Sequence, residues 1–361
     1  MRYFLVVLFA FVAIIWTIQS VNFLDLVTED GHAFKIYFYY SLLTVPKVLT
    51  KLIPFSFLIA SILTILKLEK DNELIILWTS GLNKINVVNL LLRISLLIMM
   101  IQLLLAVLVN PETLNYSRSV LKNSQLQFVP SLLKEKQFND TVENLTIFVD
   151  EKKEDGTYKN IFIRDEGKIL TQISSGSSTI FAKYGYIMKD EKNFILLDGN
   201  IQKLENDGSI SIIKFEKTEL NLSGLSTKTI SEPKIQETST LQIMNCITGR
   251  TSAMHNCNDT KKFKKDVKIE INKRFGMPLF IPLIALISCF LLSSRRDKIT
   301  FGLNRYIYFS IGFLILILSE ITVRYSGNSL NYTAIYYFVP LIFLPIVYLL
   351  LINKFKYENL T

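Results

Sequence analysis

The sequence predicts a membrane α + β protein: a six-transmembrane-helix bundle, three helices and then three more, with an antiparallel β domain inserted between helices 3 and 4. Two observations carry this. Half of the 361 residues are hydrophobic, the mean hydropathy is +0.33, and the excess sits in two blocks at the ends of the chain. The stretch between the blocks is polar and reads as short alternating strands. Apolar blocks of that length call for a bilayer, and the polar insert calls for water.

The apolar segments are 3–26, 45–66, 85–109, 275–293, 305–325 and 334–352. Each approaches or reaches the roughly 20 residues that a helix needs to cross a bilayer. The first is followed by WTIQSVNF, a poor cleavage site, so it reads as a span and not as a signal peptide. The expected organisation is 1–110 for helices 1–3, 111–272 for the β insert and 273–361 for helices 4–6.

Basic residues orient the bundle. Loop 67–84 carries Lys67, Lys70 and Lys84, loop 294–305 carries Arg295, Arg296, Lys298 and Arg305, and the tail carries Lys354 and Lys356. Loop 327–333 carries none, and loop 27–44 only Lys35. Positive charge stays inside, so both termini are expected in the cytoplasm and the insert outside. The net charge of +9 is then flank and surface charge, and no nucleic-acid motif accompanies it.

Within the insert, LTIFV (145–149), NIFIR (160–164), STIFAKYGYIMKD, NFILLDGNIQKLEN and SISIIKFEKTELNL alternate in polarity. Glu-Asp-Gly at 154–156, Asp-Gly at 198–199 and Asn-Asp-Gly at 206–208 read as turns between them. The expectation is a sandwich or an open jelly roll. Residues 236–272 turn helical and lysine-rich.

The chain shows no GxxxxGK[ST] loop and no GxSxG elbow. Its two histidines, His32 and His255, stand in no metal-ligand spacing. No catalytic residue, metal site or cofactor is therefore assigned. Cys289 reads as a packing residue, while Cys246 and Cys257 are either a local disulfide or two thiols, depending on compartment. Arg93 reads as snorkelling at a span end. Glu320 and Arg324, four apart on helix 5, share a face. They form an internal pair, or Arg324 lines a cavity for an anionic substrate.

LEKDNELIILWTSGLNKINVV, 68–88, contains a stub too short to span. Asp71 or Asn72 can cap it, Glu73 suits its first turn, Gly81 stops it and Asn83 opens the next span. A helix over 72–80 results, with Leu74, Leu77 and Trp78 on one apolar face. That face needs the bilayer interface, its own bundle or another protein, and physics alone favours the interface.

At this point the residues resemble a family. DNELIILWTSGLN, NPETLNYSR after the third span and EINKRFGMPLFIPLIALISCFL at the fourth are similar, in that order, to the LptF/LptG permeases of lipopolysaccharide export. IIWTIQSVNFLDLVTEDG looks more like the LptF branch. The resemblance implies a multi-pass inner-membrane protein with a periplasmic β-jellyroll. It implies a heterodimer with a second, LptG-like permease, a dimer of the ATPase LptB beneath, and LptC and membrane lipids as neighbours. ATP would bind the partner, not this chain. By analogy Glu73, Leu74, Leu77, Trp78 and Gly81 couple to the ATPase, and Gln19, Asn22, Glu320 and Arg324 lie toward the substrate cavity. The family often has Lys or Arg where this chain has Gln19, Ser20, Asn22 and Asp25, and a lead-in helix that this sequence does not show. Competing readings are another ABC permease or mechanotransmitter, of the MacB or FtsX kind, and a non-transport sensor or scaffold.

Overall fold

A computed structural model describes residues 2–24, 27, 34–123, 133, 135–140, 144–153, 156–166, 177–188, 193–204, 209–221, 234–249, 257, 261–293 and 301–358. Asp25, His32, His255, Arg295, Arg296, Lys298 and the turn at 206–208 lie outside the described residues.

Among the described residues, six helical segments are long and apolar enough to cross a membrane, three before the strands and three after. The elements are α1 (Arg2–Asn22), α2 (Phe34–Leu43), α3 (Val45–Lys70), α4 (Glu73–Thr79), α5 (Lys84–Leu104) and α6 (Asn110–Asn123). After the strands come α7 (Thr240–Thr248), α8 (Lys261–Gly276), α9 (Phe280–Cys289), α10 (Phe301–Ser326) and α11 (Leu330–Glu358). The helices run past the apolar segments: the second reaches back to Phe34, the third on to Leu121, and the fourth starts at Lys261.

The packing divides into two units, 1–18 with 44–115 and 234–361, and 19–43 with 116–233. The sequence boundaries at 110 and 272 are therefore drawn differently. Residues 234–272 join the helical unit, and within them α7 and α8 pack on each other through Ile243, Cys246 and Val267. A disulfide joins Cys246 to Cys257.

In the helical unit α9 is central, and all ten of its residues are buried. It packs with Leu58, Ile62 and Ile65 of α3, Val88 of α5, Val323 of α10 and Tyr336, Leu351 and Phe355 of α11. Ser61 and Ser288 share a hydrogen bond of 2.8 Å between α3 and α9, the small polar contact by which membrane helices approach closely. The spans formed by α1, α10 and α11 are mostly exposed along their apolar sides, as lipid-facing or partner-facing helices are. Gly276 lets α8 meet α11 closely, since a Cβ there would strike the ring of Tyr336, itself fully buried. Gly276→Ala is expected to cost about 1–3 kcal/mol by overpacking, read as a lower thermal midpoint in detergent.

The other unit holds one six-stranded antiparallel sheet in the order β1-β2-β3-β4-β5-β6: Phe138–Asn139, Leu145–Lys152, Thr157–Asp165, Ser178–Ile187, Asn193–Leu204 and Ile210–Asn221. Each strand pairs with its sequence neighbour. This is a meander, and the jellyroll part of the expectation finds no support in the strand order. Alternation puts Ile147, Val149, Ile161, Ile163, Ile180 and Ala182 in one core. On the opposite side, Phe138, Phe148, Phe162 and Phe181 stand in register across β1 to β4. Successive rings are 4.7 Å apart for Phe138–Phe148 and 5.3 Å for Phe162–Phe181.

One turn expectation is corrected. Asp198-Gly199 lies inside β5. Asn160 (φ 48°) and Asp198 (φ 51°) are left-handed, a conformation these two residue types tolerate. Both fall where the register skips a pair. The strand continues with its register unchanged because its apolar residues on both sides still reach the core: Phe194 to Leu196 before the unpaired position, Ile201 after it.

Candidate functional site

The short helix α4 is separate from its neighbours, as expected, but its start is made differently. Asn72 is left-handed (φ 60°) and provides no side-chain cap, and Asp71 instead pairs with Lys67 at 2.8 Å. The end follows the sequence. Gly81 (φ 88°) donates its N–H to Trp78 O at 3.1 Å, and the Leu82 N–H reaches Leu77 O at 3.1 Å. These are the paired bonds of a Schellman stop. Asn83 Oδ1 then accepts from the Ile85 N–H at 3.2 Å and opens α5.

The apolar face of α4 turns toward its own bundle. Leu74 is buried in the core with Ile62, Ile65 and Val88, and Leu77 and Trp78 pack against the same core. Lys84 Nζ lies 5.8 Å from the Trp78 ring centroid and 5.6 Å from that of Phe355. Leu74 is thus closed to a partner, and the interfacial placement favoured above does not hold for this face. The outward side carries Glu73, Ile75 and Ile76, with the two isoleucines 59% and 63% exposed. Sequence reasoning missed Ile75 and Ile76. The signal was present: ELIILW is apolar at consecutive positions, which one face of a helix cannot hold.

At the opposite ends of the same spans lies a cavity of about 240 Å³ lined from α3, α5, α6, α8 and α10. Two prolines shape it. Pro54 within α3 has no N–H, which frees the Thr50 carbonyl one turn back. Gln102 Nε2 donates to that carbonyl at 3.1 Å. Pro111 in α6 likewise frees the Val107 carbonyl inside a π turn, Leu105–Val109, and the Thr240 hydroxyl donates to it at 2.7 Å. The third helix therefore passes through Asn110-Pro111 without breaking. Gln102→Leu is expected to leave the Thr50 carbonyl unpaired at a cost of about 1–3 kcal/mol, measured by chemical or thermal unfolding in micelles.

Arg274 fastens the far wall and is 4% exposed. Its guanidinium meets Glu270 at 3.0 Å. It also donates to Thr238 O at 3.1 Å, Thr240 Oγ1 at 2.8 Å and Gln236 O at 3.2 Å.

The family model described as Lipopolysaccharide export system permease LptF/LptG matches residues 1–354. The chain belongs to the LptF/LptG family. It is similar as well to the uncharacterized protein RP871 of Rickettsia prowazekii (strain Madrid E), 26% identical over 356 residues, covering 97% of this chain and 95% of that one. This LptF/LptG chain is a multi-pass inner-membrane permease for lipopolysaccharide export at the level of the family, and the family is not one of enzymes.

Of the residues expected at the substrate cavity, Glu320 and Arg324 belong to the helical unit and Gln19 and Asn22 to the other. Glu320 lines the cavity described above, but it pairs with Lys273 at 2.8 Å and not with Arg324. Arg324 is exposed, one turn further along α10, and does not line the cavity. Side chains on one helix face pair only if no better partner is closer, and α8 supplies one in Lys273. Gln19 is half-buried and Asn22 exposed near the end of α1. Both belong to the other unit, outside the cavity lining. The sequence reading missed Lys47, Lys51 and Gln102, which do line it. Polar residues inside apolar spans were the available signal. Among the described residues no cluster of His, Cys, Asp and Glu could hold a metal.

Proposed function

We propose that this chain is one permease subunit of an ABC exporter that extracts lipopolysaccharide from the inner membrane and passes it to the periplasmic Lpt bridge. The observation that carries this is α4: a helix anchored to its bundle on one face and offering exposed Ile75 and Ile76 on the other. An ATPase subunit, of the LptB kind, grips that outward face from the cytoplasm. Both chain termini lie on the same side, and the β insert stands in the periplasm. A second, LptG-like permease completes the transmembrane cavity, this chain taking the LptF role, and LptC receives the lipid from the insert.

The mechanism is mechanical. Closure of the ATPase pushes α4, and because Leu74, Leu77 and Trp78 lock α4 to the core, the push moves α3 and α5 with it. The second and third spans each carry an irregularity partway along, Pro54 within α3 and the π turn between α5 and α6. Each divides its span into a driven end beside α4 and a far end at the cavity. The phenylalanine row on the sheet supplies an apolar surface for acyl chains leaving the bilayer.

The test is reconstitution of the chain with the second permease and the ATPase in liposomes containing lipopolysaccharide. ATP-dependent release of lipid to an added acceptor is expected. ATP hydrolysis with no lipid movement would point instead to a mechanotransmitter, and absence of any ATPase association to a sensor or scaffold.

A further inference from the structure

Lys84 is the first residue of α5, directly after its N-cap Asn83. A cation there faces the positive end of the helix dipole and is unfavourable. The positive-inside pattern accounts for a lysine in this loop, but not for where its side chain goes. Its Nζ lies 5.8 Å from the ring centroid of Trp78 on α4 and 5.6 Å from that of Phe355 on α11. Both distances are within the reach of a cation–π contact. Phe355 is buried and Trp78 half-buried, so the ammonium meets two rings partly screened from water, where such contacts are strongest. Leu74, Leu351 and Phe355 already share one core. Apolar packing is non-directional, whereas a cation held by two ring faces also sets the angle of Trp78 against Phe355. Two further contacts hold the same end of α11. Tyr348 donates its hydroxyl to Asn89 Oδ1 on α5 at 2.8 Å, and Lys354 Nζ lies 5.4 Å from the ring of Phe290, in the turn after α9. Of these three contacts, that of Lys84 alone reaches α4.

We infer that Lys84 is a positioning residue that fastens the sixth span to α4, so that a displacement of α4 carries α11 as well as α3 and α5. This rests on the reading of α4 as the element that receives the stroke. Pro340 and Pro345 lie within α11, and each removes a hydrogen bond from the helix. The sixth span therefore shares the layout of the second and third: an end fastened beside α4 and a softened point further along. An apolar side chain at position 84 would fill the same space but would not hold two rings at once.

The experiment has two arms, each run on the parent, Lys84→Met and Lys84→Arg. In the first, the full-length chain in nanodiscs carries spin labels at Ser80→Cys and Lys356→Cys, both exposed positions at the ends of α4 and α11. Cys246 and Cys257 are joined and Cys289 is buried, so the two introduced thiols take the label. One narrow label-to-label distance is expected for the parent and for Lys84→Arg, and a broad distribution for Lys84→Met. In the second, the chain is reconstituted with the second permease and the ATPase, and lipid released per ATP hydrolysed is measured. Lys84→Met is expected to release about fivefold less lipid per ATP, the factor that one partly desolvated cation–π contact is worth in an equilibrium. Lys84→Arg is expected to stay within about twofold of the parent, since arginine keeps the cation. Phe355→Leu removes the second ring, and adding it to Lys84→Met is expected to lower the ratio no further, as for two groups of one contact. If Phe355→Leu fails to fold, the comparison of Lys84→Met with Lys84→Arg decides alone. A distribution equally narrow in Lys84→Met overturns the tie whatever the transport result. A broadened distribution with lipid still released at the parental ratio overturns the transmission. A parent that hydrolyses ATP and releases no lipid overturns the export reading and not the tie, which the spin-label arm decides.

Discussion

Replacing Arg274 by alanine is expected to destabilise the helical unit by about 3–5 kcal/mol, the range for removing one partner of a buried ion pair. Arg274 is almost wholly buried, and its guanidinium answers one carboxylate, a hydroxyl and several backbone carbonyls in the segment 235–240. Without it Glu270 loses its ion-pair partner and the carbonyls lose their donor. The Thr240 hydroxyl that caps the Val107 carbonyl also loses the group that holds it in place. Arg274→Lys is expected to recover little, because an ammonium cannot reproduce a planar fork with five donors. The measurement is the unfolding midpoint in detergent for both variants, beside Arg324→Ala. Arg324 is exposed on α10, so its loss is expected to shift the midpoint hardly at all. Equal shifts for Arg274→Ala and Arg324→Ala would defeat this account of the joint.

The second large effect separates the two faces of α4. Ile75→Glu with Ile76→Glu is expected to weaken ATPase association by about 30-fold or more, the scale of losing an interface hot spot, while the unfolding midpoint stays near that of the parent. Leu74→Ala is expected to do the reverse first. It removes a side chain from the core shared by α3, α5 and α9 and costs about 2–5 kcal/mol of stability. Association and midpoint measured on the same preparations give a crossed pattern. If Leu74→Ala alone abolished association at full stability, the partner would be reading the face that packs inward, and the assignment of the outward face would fail.

These expectations differ in how far the sequence could reach them. The six spans were legible because a bilayer asks one thing of a helix, about 20 apolar residues, and a linear count detects it. The strands were legible because alternation has a period of two, and Leu145 to Val149 displays it plainly. Gly81 as a stop was legible for a similar reason, since few residues other than glycine take φ near +88° at low cost.

The partners of particular side chains were not legible. Glu320 and Arg324 satisfy every spacing rule for a pair, yet Glu320 lies against Lys273, forty-seven positions away. The face of α4 was undecided because ELIILW is apolar nearly all round. Only the arrangement of α3, α5 and α9 selects which residues go inside. Asp198-Gly199 was read as a turn because the dipeptide allows one, and it stays inside a strand because both of its flanks had strands to pair with.

The sequence by itself determined the class of molecule, the order of spans and strands, the family and the existence of a separate short helix. All of these rest on local composition, period or a single backbone conformation, which neighbours along the chain suffice to set. The tertiary structure alone decided that Leu74 is closed and Ile76 open, that Gln102 and Thr240 answer carbonyls freed by two prolines, and that Glu320 takes Lys273. Those outcomes depend on distances between segments far apart in sequence, where competition for one partner leaves another group unpaired, and no local pattern records who wins.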